Sequence, residues 1–328
     1  MIKDQKAFLS EGKFYKGNLH SHTTNSDGKL SCAESVKMFK EHGYSFLCFS
    51  EHDYYTDYRS EFDCEDFIIL PGIEASVILL EENSERRLKV HHIHGILGTE
   101  EMVKKAGDKA FKNNEKVAPR ILRGSWDGQR EADRLCGYLR ERGCITMYNH
   151  PVWSRVEPEE FINTNGLWAL EIFNYDTVNE SNTGYDSVSW DLFLRRGTRI
   201  NATATDDNHN EGLFDDSCGG WIMVKAEELS HEAIVKNMIE GNYYSSSGPE
   251  IYSWEIKDGV ARVECSDVYR IDFFVGNHVN DGRAVLSGDF EKTISSAEYR
   301  LKGDEDYIRV QCTDKYGRTA WSNPFYED

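Results

Sequence analysis

Two short segments near the N-terminus, His20-Ser21-His22 with Ser26-Asp27-Gly28, and then Glu51-His52-Asp53, are the most informative part of the chain. Each follows an apolar or β-prone run, where a strand would end and its side chains would converge on the central pocket of a barrel-like sheet. His20 and His22 are two residues apart, so on a strand both point to the same side of the sheet. This arrangement brings two imidazoles to one metal ion.

Further histidines and carboxylates stand at or near the ends of later strand-like runs: Glu74, His91, His92, His94, His150, Asp207 and His209. Taken singly, each has a structural interpretation, such as a turn residue for Asp27 or a surface charge for Glu74. Because six strand-like runs carry such residues, the sequence predicts one metal site. Imidazole and carboxylate ligands without cysteine suit Zn, Mn or Fe.

Three histidines crowd one of these predicted strands. His92 and His94 share one face of it, and His91 faces the other side. We expect one of the pair to bind metal and the other to line the pocket or support a ligand.

The order of apolar runs predicts the fold class. Strand-like runs occur at 17–19, 46–50, 67–70, 90–97, 144–148, 167–173, 199–204 and 221–224. Helical patterns at 31–42, 129–142 and 231–240 each end before a glycine, and Ser31 with Glu34 forms a capping box. Alternating strands and helices predict a mostly parallel α/β sheet, closed or nearly closed. The polar stretch 98–128 is expected to form a helix and an excursion over the barrel mouth.

The pattern of apolar and polar residues changes after Ser247-Gly248-Pro249. Short alternating segments follow at 251–256, 260–264, 269–275, 297–302 and 307–313, with turn signals at 257–259 and 314–317. The Asp258-Gly259 pair between two such segments predicts a hairpin. We therefore expect two domains, a larger one over 1–249 and a small antiparallel β domain over 250–328.

Composition limits the function classes. The chain has 328 residues and a net charge of -19, which disfavours long nucleic acids as partners. A small phosphorylated substrate stays possible, because bound metals locally reverse the field. No run approaches the ~20 apolar residues of a membrane span, and the N-terminus lacks an apolar signal core, so a cytoplasmic protein is expected. The eight scattered cysteines predict free thiols, and the oligomeric state stays open.

The motifs together resemble a known family. Asn18-Leu19-His20-Ser21-His22, Ser26-Asp27-Gly28, Ser50-Glu51-His52-Asp53, Pro71-Gly72-Ile73-Glu74, Asn149-His150-Pro151 and Asp207-Asn208-His209 occur in order within 16–247. This pattern resembles the polymerase and histidinol phosphatase (PHP) family of metallohydrolases. It is most similar to the branch with nucleoside bisphosphate 3′-phosphatases and proteins named after carbaryl hydrolase.

The resemblance implies a distorted seven-stranded β/α barrel of the PHP type, with two or three divalent metal ions at its mouth. It assigns the first metal to His20, His22, Glu74 and Asp207. The second would take Glu74 as a bridge, His150, and His92, with His94 as the alternate. The third would take Asp27, His52 and His209. The small β domain follows this barrel.

Such a site favours hydrolysis by a metal-bridging hydroxide. The sequence predicts a metal-dependent phosphoesterase acting on a small phosphate ester, with a nucleotide as one candidate substrate and with Glu74, Asp207 and Arg155 as catalytic residues. The alternative is a metallohydrolase of a non-phosphate ester, carbamate or amide. A third hypothesis is a non-catalytic module in which the metals only stabilise the fold.

Several other residues have two interpretations each. Arg155, and after it Arg123, would contact phosphate or lie solvated on the surface. Asp53 would orient a ligand or cap a helix, and His278 is expected on the surface. Glu171 and Asn174 would line the pocket or have a structural role. Trp153 and Tyr175 would stack on a base or aromatic leaving group or serve in ordinary packing.

Overall fold

The computed structural model describes residues 2–276 and 278–327. Its strands, in chain order, are β1 (Gln5–Lys6), β2 (Lys13–Asn18), β3 (Phe46–Phe49), β4 (Tyr54–Tyr55), β5 (Ile68–Leu80), β6 (Arg87–Leu97), β7 (Glu115–Lys116), β8 (Arg120–Arg123), β9 (Cys144–Tyr148), β10 (Ala169–Asn174), β11 (Asn201–Thr205), β12 (Trp221–Ala226), β13 (Tyr243–Ser246), β14 (Ile251–Lys257), β15 (Val260–Val268), β16 (Arg270–Val275), β17 (Arg283–Leu286), β18 (Ile294–Arg300), β19 (Tyr307–Thr313), β20 (Thr319–Ser322) and β21 (Phe325–Tyr326).

The helices are α1 (Cys32–Glu41), α2 (Arg59–Phe62), α3 (Glu100–Ala106), α4 (Gly128–Arg140), α5 (Tyr175–Ser181), α6 (Ser187–Arg195) and α7 (His231–Ile239), with 3-10 turns at Gly107–Lys109 and Pro158–Glu160. The predicted capping box at the start of α1 is present: the Ser31 side chain accepts from the backbone of Glu34, whose side chain accepts from Ser31. Within the described residues, no helix has the length and apolar character needed to cross a membrane.

The larger sheet runs in the order β11-β10-β9-β6-β5-β3-β2-β12-β13 and continues through β20, β19, β16 and β17. Parallel pairs flank its centre: β2 with β3, β3 with β5, β9 with β10, and β10 with β11. The strand β6, however, is antiparallel to both β5 and β9. The prediction of a mostly parallel sheet is wrong there, because the connection 81–86 is far too short for a parallel crossover.

The ends of this sheet are not joined by a strand ladder in the part of the chain that the structure describes, so no closed barrel is found. Ser245 Oγ of β13 donates to the carbonyl of Ala202 on β11 at 2.9 Å. This side-chain hydrogen bond links β13 to β11, the first strand in the order given above. The fold is therefore a mixed α/β fold with one large sheet. Closure into a seven-stranded barrel stays a prediction.

The predicted strands and helices of the first 249 residues all correspond to elements, and their apolar faces form the core. Residues of α4, including Leu135 and Leu139, pack with Ile93 of β6. Residues of α7, including Ile234 and Met238, belong to a second core cluster that also contains Ile96 of β6 and Ile222 of β12. Burial of such helical faces holds the strand ends, and hence the predicted ligands, at fixed positions.

The C-terminal strands are antiparallel, as predicted, and they form a second layer. The smaller sheet β1-β14-β15-β18 packs on the continuation of the larger sheet, around a core that includes Trp254, Phe273 and Ile308. The predicted hairpin turn has positive φ at Asp258 (52°) and Gly259 (68°), as a two-residue type I′ turn requires. Strand β1 belongs to this smaller sheet, and the division at 249/250 stays a prediction.

A buried arginine connects the C-terminal strands to α6. The Arg309 guanidinium on β19 lies 4.4 Å from the ring centroid of Trp190 on α6 and 4.0 Å from that of Phe274. Beside it, the Tyr307 hydroxyl donates to Asp191 at 2.7 Å. These contacts fix α6, whose preceding residue Asp186 is buried.

The segment 98–128 was expected to extend over the barrel mouth, but none of its residues lines the cavity over the predicted ligands. The helix expected in this segment is α3. Strand β7 pairs with β4, and β8 pairs in parallel with the distal half of β5. The segment instead extends the edge of the sheet, because the long β5 offers it unpaired backbone groups. All eight cysteines are free, which confirms the predicted thiols.

Candidate metal centre

All ten predicted metal ligands come together in one region. Their ligand atoms form four overlapping groups, each within 4.8 Å: His22-Asp27-His52-His209, His20-His150-Asp207, His20-Glu74-His94 and His52-Glu74-His92. The residues follow β2, β3, β9 and β11 or lie on β5 and β6, so the strand ends that the sequence indicated do converge.

Glu74 lies at the middle of these groups and is fully buried. Its Oε1 is 3.3 Å from His20 Nε2, 3.2 Å from His92 Nδ1 and 3.3 Å from His150 Nε2. Its Oε2 is 2.9 Å from His52 Nδ1 and 3.6 Å from His22 Nε2. One carboxylate thus faces five imidazoles, which suits a bridging ligand.

Asp207 is the second carboxylate of the centre. Its Oδ1 is 2.8 Å from His20 Nε2 and 3.0 Å from His22 Nε2, and its Oδ2 is 3.7 Å from His150 Nε2. The backbone of Asp207 has φ 59° and that of His150 has φ 24°. Such left-handed conformations in non-glycine residues cluster at functional sites, where surrounding contacts hold them.

Asp27 stands at the solvent side of the centre, with its side chain 53 % exposed. Its Oδ2 is 3.4 Å from His52 Nε2, and its Oδ1 is 3.5 Å from His209 Nε2. Glu51 holds the turn that carries it, accepting from the Thr23 amide at 3.2 Å and from the hydroxyls of Thr23 and Ser26. The sequence analysis did not identify this role for Glu51.

The structure places both His92 and His94 in the centre. His92 lies beside Glu74 and His52, whereas His94 is completely buried with its ring centroid 4.2 Å from that of His20. His91 faces the other way, as expected, and stacks on Trp126 at 4.6 Å. The choice of ligand between His92 and His94 stays open.

Two residues predicted to line the pocket instead support it. Glu171 is completely buried; its Oε1 lies 2.8 Å from His20 Nδ1, and its Oε2 accepts from the His150 amide at 2.9 Å. Asn174 donates to Glu171 and, at 2.9 Å, to Asp207 Oδ2. Both residues are buried and neither lines the cavity, so they contact the predicted ligands and not the open space above them.

Asp53 has neither of its predicted roles. Its carboxylate accepts from the Ser76 amide at 2.8 Å, and its own amide donates to the Glu74 carbonyl at 2.7 Å. Asp53 therefore ties the loop after β3 to β5 at Glu74 and at Ser76. Burial raises the pKa of its carboxyl to about 6.

Unpartnered atoms and part of the electrostatics fit a metal centre. Despite burial, neighbouring carboxylates raise the pKa of His20, His52 and His150, so without metal these imidazoles hold protons that a cation would replace. Burial, with the neighbouring His52 and His209, lowers the pKa of His22 to about 3, so its imidazole is neutral, as metal binding requires. Burial opposes ionisation of Glu74, but the imidazoles of His92 and His20 hold its pKa well below the usual range. Within the described residues, these buried atoms lack a hydrogen bond of acceptable geometry: His20 Nε2, Glu74 Oε2, His92 Nδ1 and both ring nitrogens of His94. Such atoms call for an explanation, and divalent cations would satisfy them.

A cavity of about 310 Å³ opens over the centre. Seven of the predicted ligands line it: Asp27, His52, Glu74, His92, His150, Asp207 and His209. Beyond them the lining includes four carboxylates, namely Asp176, Glu180, Glu211 and Asp216, the apolar side chains Trp153, Leu213 and Phe214, and Arg87. The lining is therefore acidic, with one arginine.

The two arginines chosen from the sequence do not line this cavity. Arg155 is exposed, and Arg123 donates to the carbonyls of Glu81 and Ser84 and to Glu85, at the tip of the β5–β6 hairpin. Arg87 is the arginine that lines the cavity. A register shift opposite Leu79 and Leu80 re-aims Arg87, which a regular strand would turn away from His92.

The remaining predictions divide between the cavity and the surface. Trp153 lines the cavity, and its indole N–H donates to Glu180 at 2.8 Å. Tyr175 lies outside it, with its hydroxyl donating to Asp215 at 3.0 Å. The side chain of His278 is 57 % exposed, beside Asp281 and Asp304, as expected for a surface residue.

No protein-family model and no curated protein matches the chain. Among solved structures it is similar to a two-domain protein from Bacteroides vulgatus ATCC 8482 containing a predicted PHP-like metal-dependent phosphoesterase, with 13% identity over 95% of this chain and 94% of that chain and a TM-score of 0.46. A putative metal-dependent phosphoesterase from Bifidobacterium adolescentis ATCC 15703 has 12% identity over 60% and 88%, with a TM-score of 0.39.

An amidohydrolase from Chromobacterium violaceum with bound sulfate and no metal has 12% identity over 69% of this chain and 96% of that chain, with a TM-score of 0.39. These identities and TM-scores are too low to assign a family or an activity to the chain. The functional conclusions therefore depend on the geometry of its own site.

Proposed function

We propose that the protein is a metal-dependent phosphoesterase that hydrolyses a small phosphate ester. The observation that carries this proposal is the position of Glu74, a buried carboxylate within 3.6 Å of five imidazoles. A carboxylate that two metal ions share is the feature of sites in which closely spaced metals act on one substrate.

The assignments implied by the sequence are kept as part of the proposal. His20, His22, Glu74 and Asp207 would hold a first metal. Glu74 as a bridge, His150, and His92 (with His94 as the alternate) would hold a second. Asp27, His52 and His209 would hold a third. Zn, Mn and Fe all suit imidazole and carboxylate donors. Such ions lower the pKa of bound water and neutralise charge on phosphoryl oxygens when they are present.

The chain's own residues supply the remaining requirements. Glu171 and Asn174 orient His20 and Asp207 from beneath, and Asp27 stands where substrate enters. Arg87 offers a guanidinium to a phosphate group at the cavity wall. The volume of about 310 Å³ and the acidic lining favour a small ester over a long nucleic acid.

A second candidate is a metallohydrolase of a neutral ester, carbamate or amide. The observation that favours it is the shortage of cations, since Arg155 and Arg123 lie outside the cavity and Arg87 is exposed. The same site chemistry acts on carbonyl groups, so the ligands alone do not separate the two candidates.

The test is hydrolysis by the metal-reconstituted protein of p-nitrophenyl phosphate, its phosphodiester analogue, nucleoside 3′,5′-bisphosphates and an aryl carbamate. We expect release of phosphate or of the ester's alcohol, abolished in His20→Ala and retained in His278→Ala, whose histidine is on the surface. Turnover of the carbamate alone would favour the second candidate. Equal rates in the wild type and His20→Ala would contradict both.

A further inference from the structure

Helix α5 forms an acidic wall of the cavity. Asp176, Thr177 and Glu180 all line it, and Asp176 and Glu180 are four residues apart on one helix face. The first turn of the helix is fixed to the metal centre, because its N-cap Asn174 donates to Asp207 and the Asp176 amide donates to the Asp206 carbonyl at 2.8 Å.

Asp176 differs from the other carboxylates of this lining. Its residue is 9 % exposed, and within the described residues neither a hydrogen bond nor an ion pair reaches its carboxylate. By contrast, Glu180 accepts from Trp153, and Glu211 lies 3.3 Å from Lys29. Asp216 likewise accepts from the amides of His209 and Asn210.

The charged form of this carboxyl is unfavourable, because burial, with the nearby charges of Asp207 and Asp216, raises its pKa to about 8. A cation that arrives with a ligand would favour the charged form and supply the missing partner. A further metal ion does not fit, because Asp176 belongs to none of the groups of closely spaced ligand atoms among the described residues. An organic cation with its own N–H donors does fit. Trp153, on the same lining, adds an aromatic surface that attracts alkylammonium groups.

We propose that Asp176 binds an alkylammonium group of the substrate, so that the preferred substrates are phosphate monoesters of amino alcohols. This inference rests on the proposed phosphoesterase function. The phosphate lies toward the metal ligands and Arg87, and the ammonium group lies at Asp176 and Trp153. Substrates with a second phosphate, such as nucleoside bisphosphates, are disfavoured by the four carboxylates of the lining.

The test compares probes of equal shape that differ only in charge. Phosphoethanolamine and propyl phosphate are hydrolysed side by side, and binding of their non-hydrolysable counterparts, 2-aminoethylphosphonate and propylphosphonate, is measured by calorimetry. Wild-type metal-loaded protein is compared with Asp176→Asn, which keeps the shape of the side chain. Glu211→Gln is the control, since it removes the same charge from the same cavity at a carboxylate that is already paired.

We expect wild type to prefer each ammonium probe by about ten-fold or more, the range of a hydrogen bond to a charged group. Asp176→Asn should remove that preference and Glu211→Gln should keep it. Equal rates and affinities for the ammonium and alkyl probes in the wild type would overturn the inference. An equal loss of the ammonium preference in Glu211→Gln would do so too. Either result would leave the proposed phosphoesterase function standing. If no ester is cleaved, the proposed function fails, and the phosphonate binding ratio still decides the role of Asp176. Absence of binding by either phosphonate would overturn that role as well.

Discussion

Oε1 of Glu171 lies 2.8 Å from Nδ1 of His20, on the side of the imidazole away from Glu74 and Asp207. Both residues are completely buried. The other oxygen of Glu171 accepts from the His150 amide, so one carboxylate orients two predicted ligands. A carboxylate bonded to a ligating imidazole fixes its tautomer and orientation and raises its basicity.

Replacing this carboxylate by an amide should therefore weaken metal binding without removing a ligand. We expect Glu171→Gln to lower metal affinity by about 10- to 100-fold. The measurement is competition with a chromophoric chelator, with circular dichroism to confirm folding. Glu180→Gln, whose carboxylate accepts from the Trp153 indole and belongs to none of the ligand groups among the described residues, is the control and should bind metal as the wild type does. Unchanged affinity in folded Glu171→Gln would show that Glu171 is only structural.

Removing metal should destabilise the protein, because an ion that binds only the folded state stabilises it, and its loss leaves buried polar atoms of the centre without partners. A ligand present at 100 times its Kd contributes about 2.7 kcal/mol of stability. We expect a chelator to lower Tm by several degrees in the wild type and in His278→Ala, and by much less in His20→Ala. If Tm is insensitive to the chelator in all three proteins, the centre does not hold a stabilising metal.

The succession of strands and the clustering of the histidine and carboxylate motifs could be predicted because the motifs are local properties. Each ligand stands within a few residues of an apolar run, in a short motif such as His20-Ser21-His22. The extent of β5 could not be predicted in this way. The predicted run 67–70 stops before Pro71 and Gly72, which are unusual inside a strand. The strand nevertheless continues to Leu80, and a short turn then leads into β6, which pairs with it antiparallel.

The roles of the supporting residues could not be predicted, although Glu171 was named as a pocket candidate, because these roles depend on register and on contacts distant in sequence. Arg87 reaches the cavity only through a β-bulge, and alternation along the strand assigns it to the opposite face. Glu171 is 151 residues from His20, and nothing local marks it as that histidine's partner. Arg155 follows His150 closely in sequence, but its side chain is exposed.

Asp186 should make stability depend on pH. It is 1 % exposed, and burial, as the main cause, raises the pKa of its carboxyl to about 8. The folded state then binds a proton that the unfolded state has released, so stability falls as pH rises from about 4 to about 8, by at most about 1.4 kcal/mol per pH unit.

Asp186→Asn keeps the shape and removes this titration. We expect the variant to match the wild type near pH 4 and to be more stable at pH 8, in urea unfolding of metal-free protein. Asp258→Asn, at an exposed hairpin turn, is the control and should follow the wild-type curve. Parallel curves for the wild type and Asp186→Asn would show that the Asp186 carboxyl is ionised across this range.

Arg87 and Arg155 make opposite predictions about phosphate recognition. Arg87 lines the cavity, whereas Arg155 is exposed and outside it. We expect Arg87→Gln to raise KM for a phosphate ester by roughly ten-fold, within the range of charge-assisted hydrogen bonds, and to weaken the dependence of kcat/KM on salt. Arg155→Gln should change neither. A larger effect from Arg155→Gln would restore the assignment made from the sequence, because Arg155 would then have to reach the substrate by a rearrangement of the segment after His150. No effect from either variant would mean that the substrate needs no guanidinium, which favours a neutral ester or carbamate.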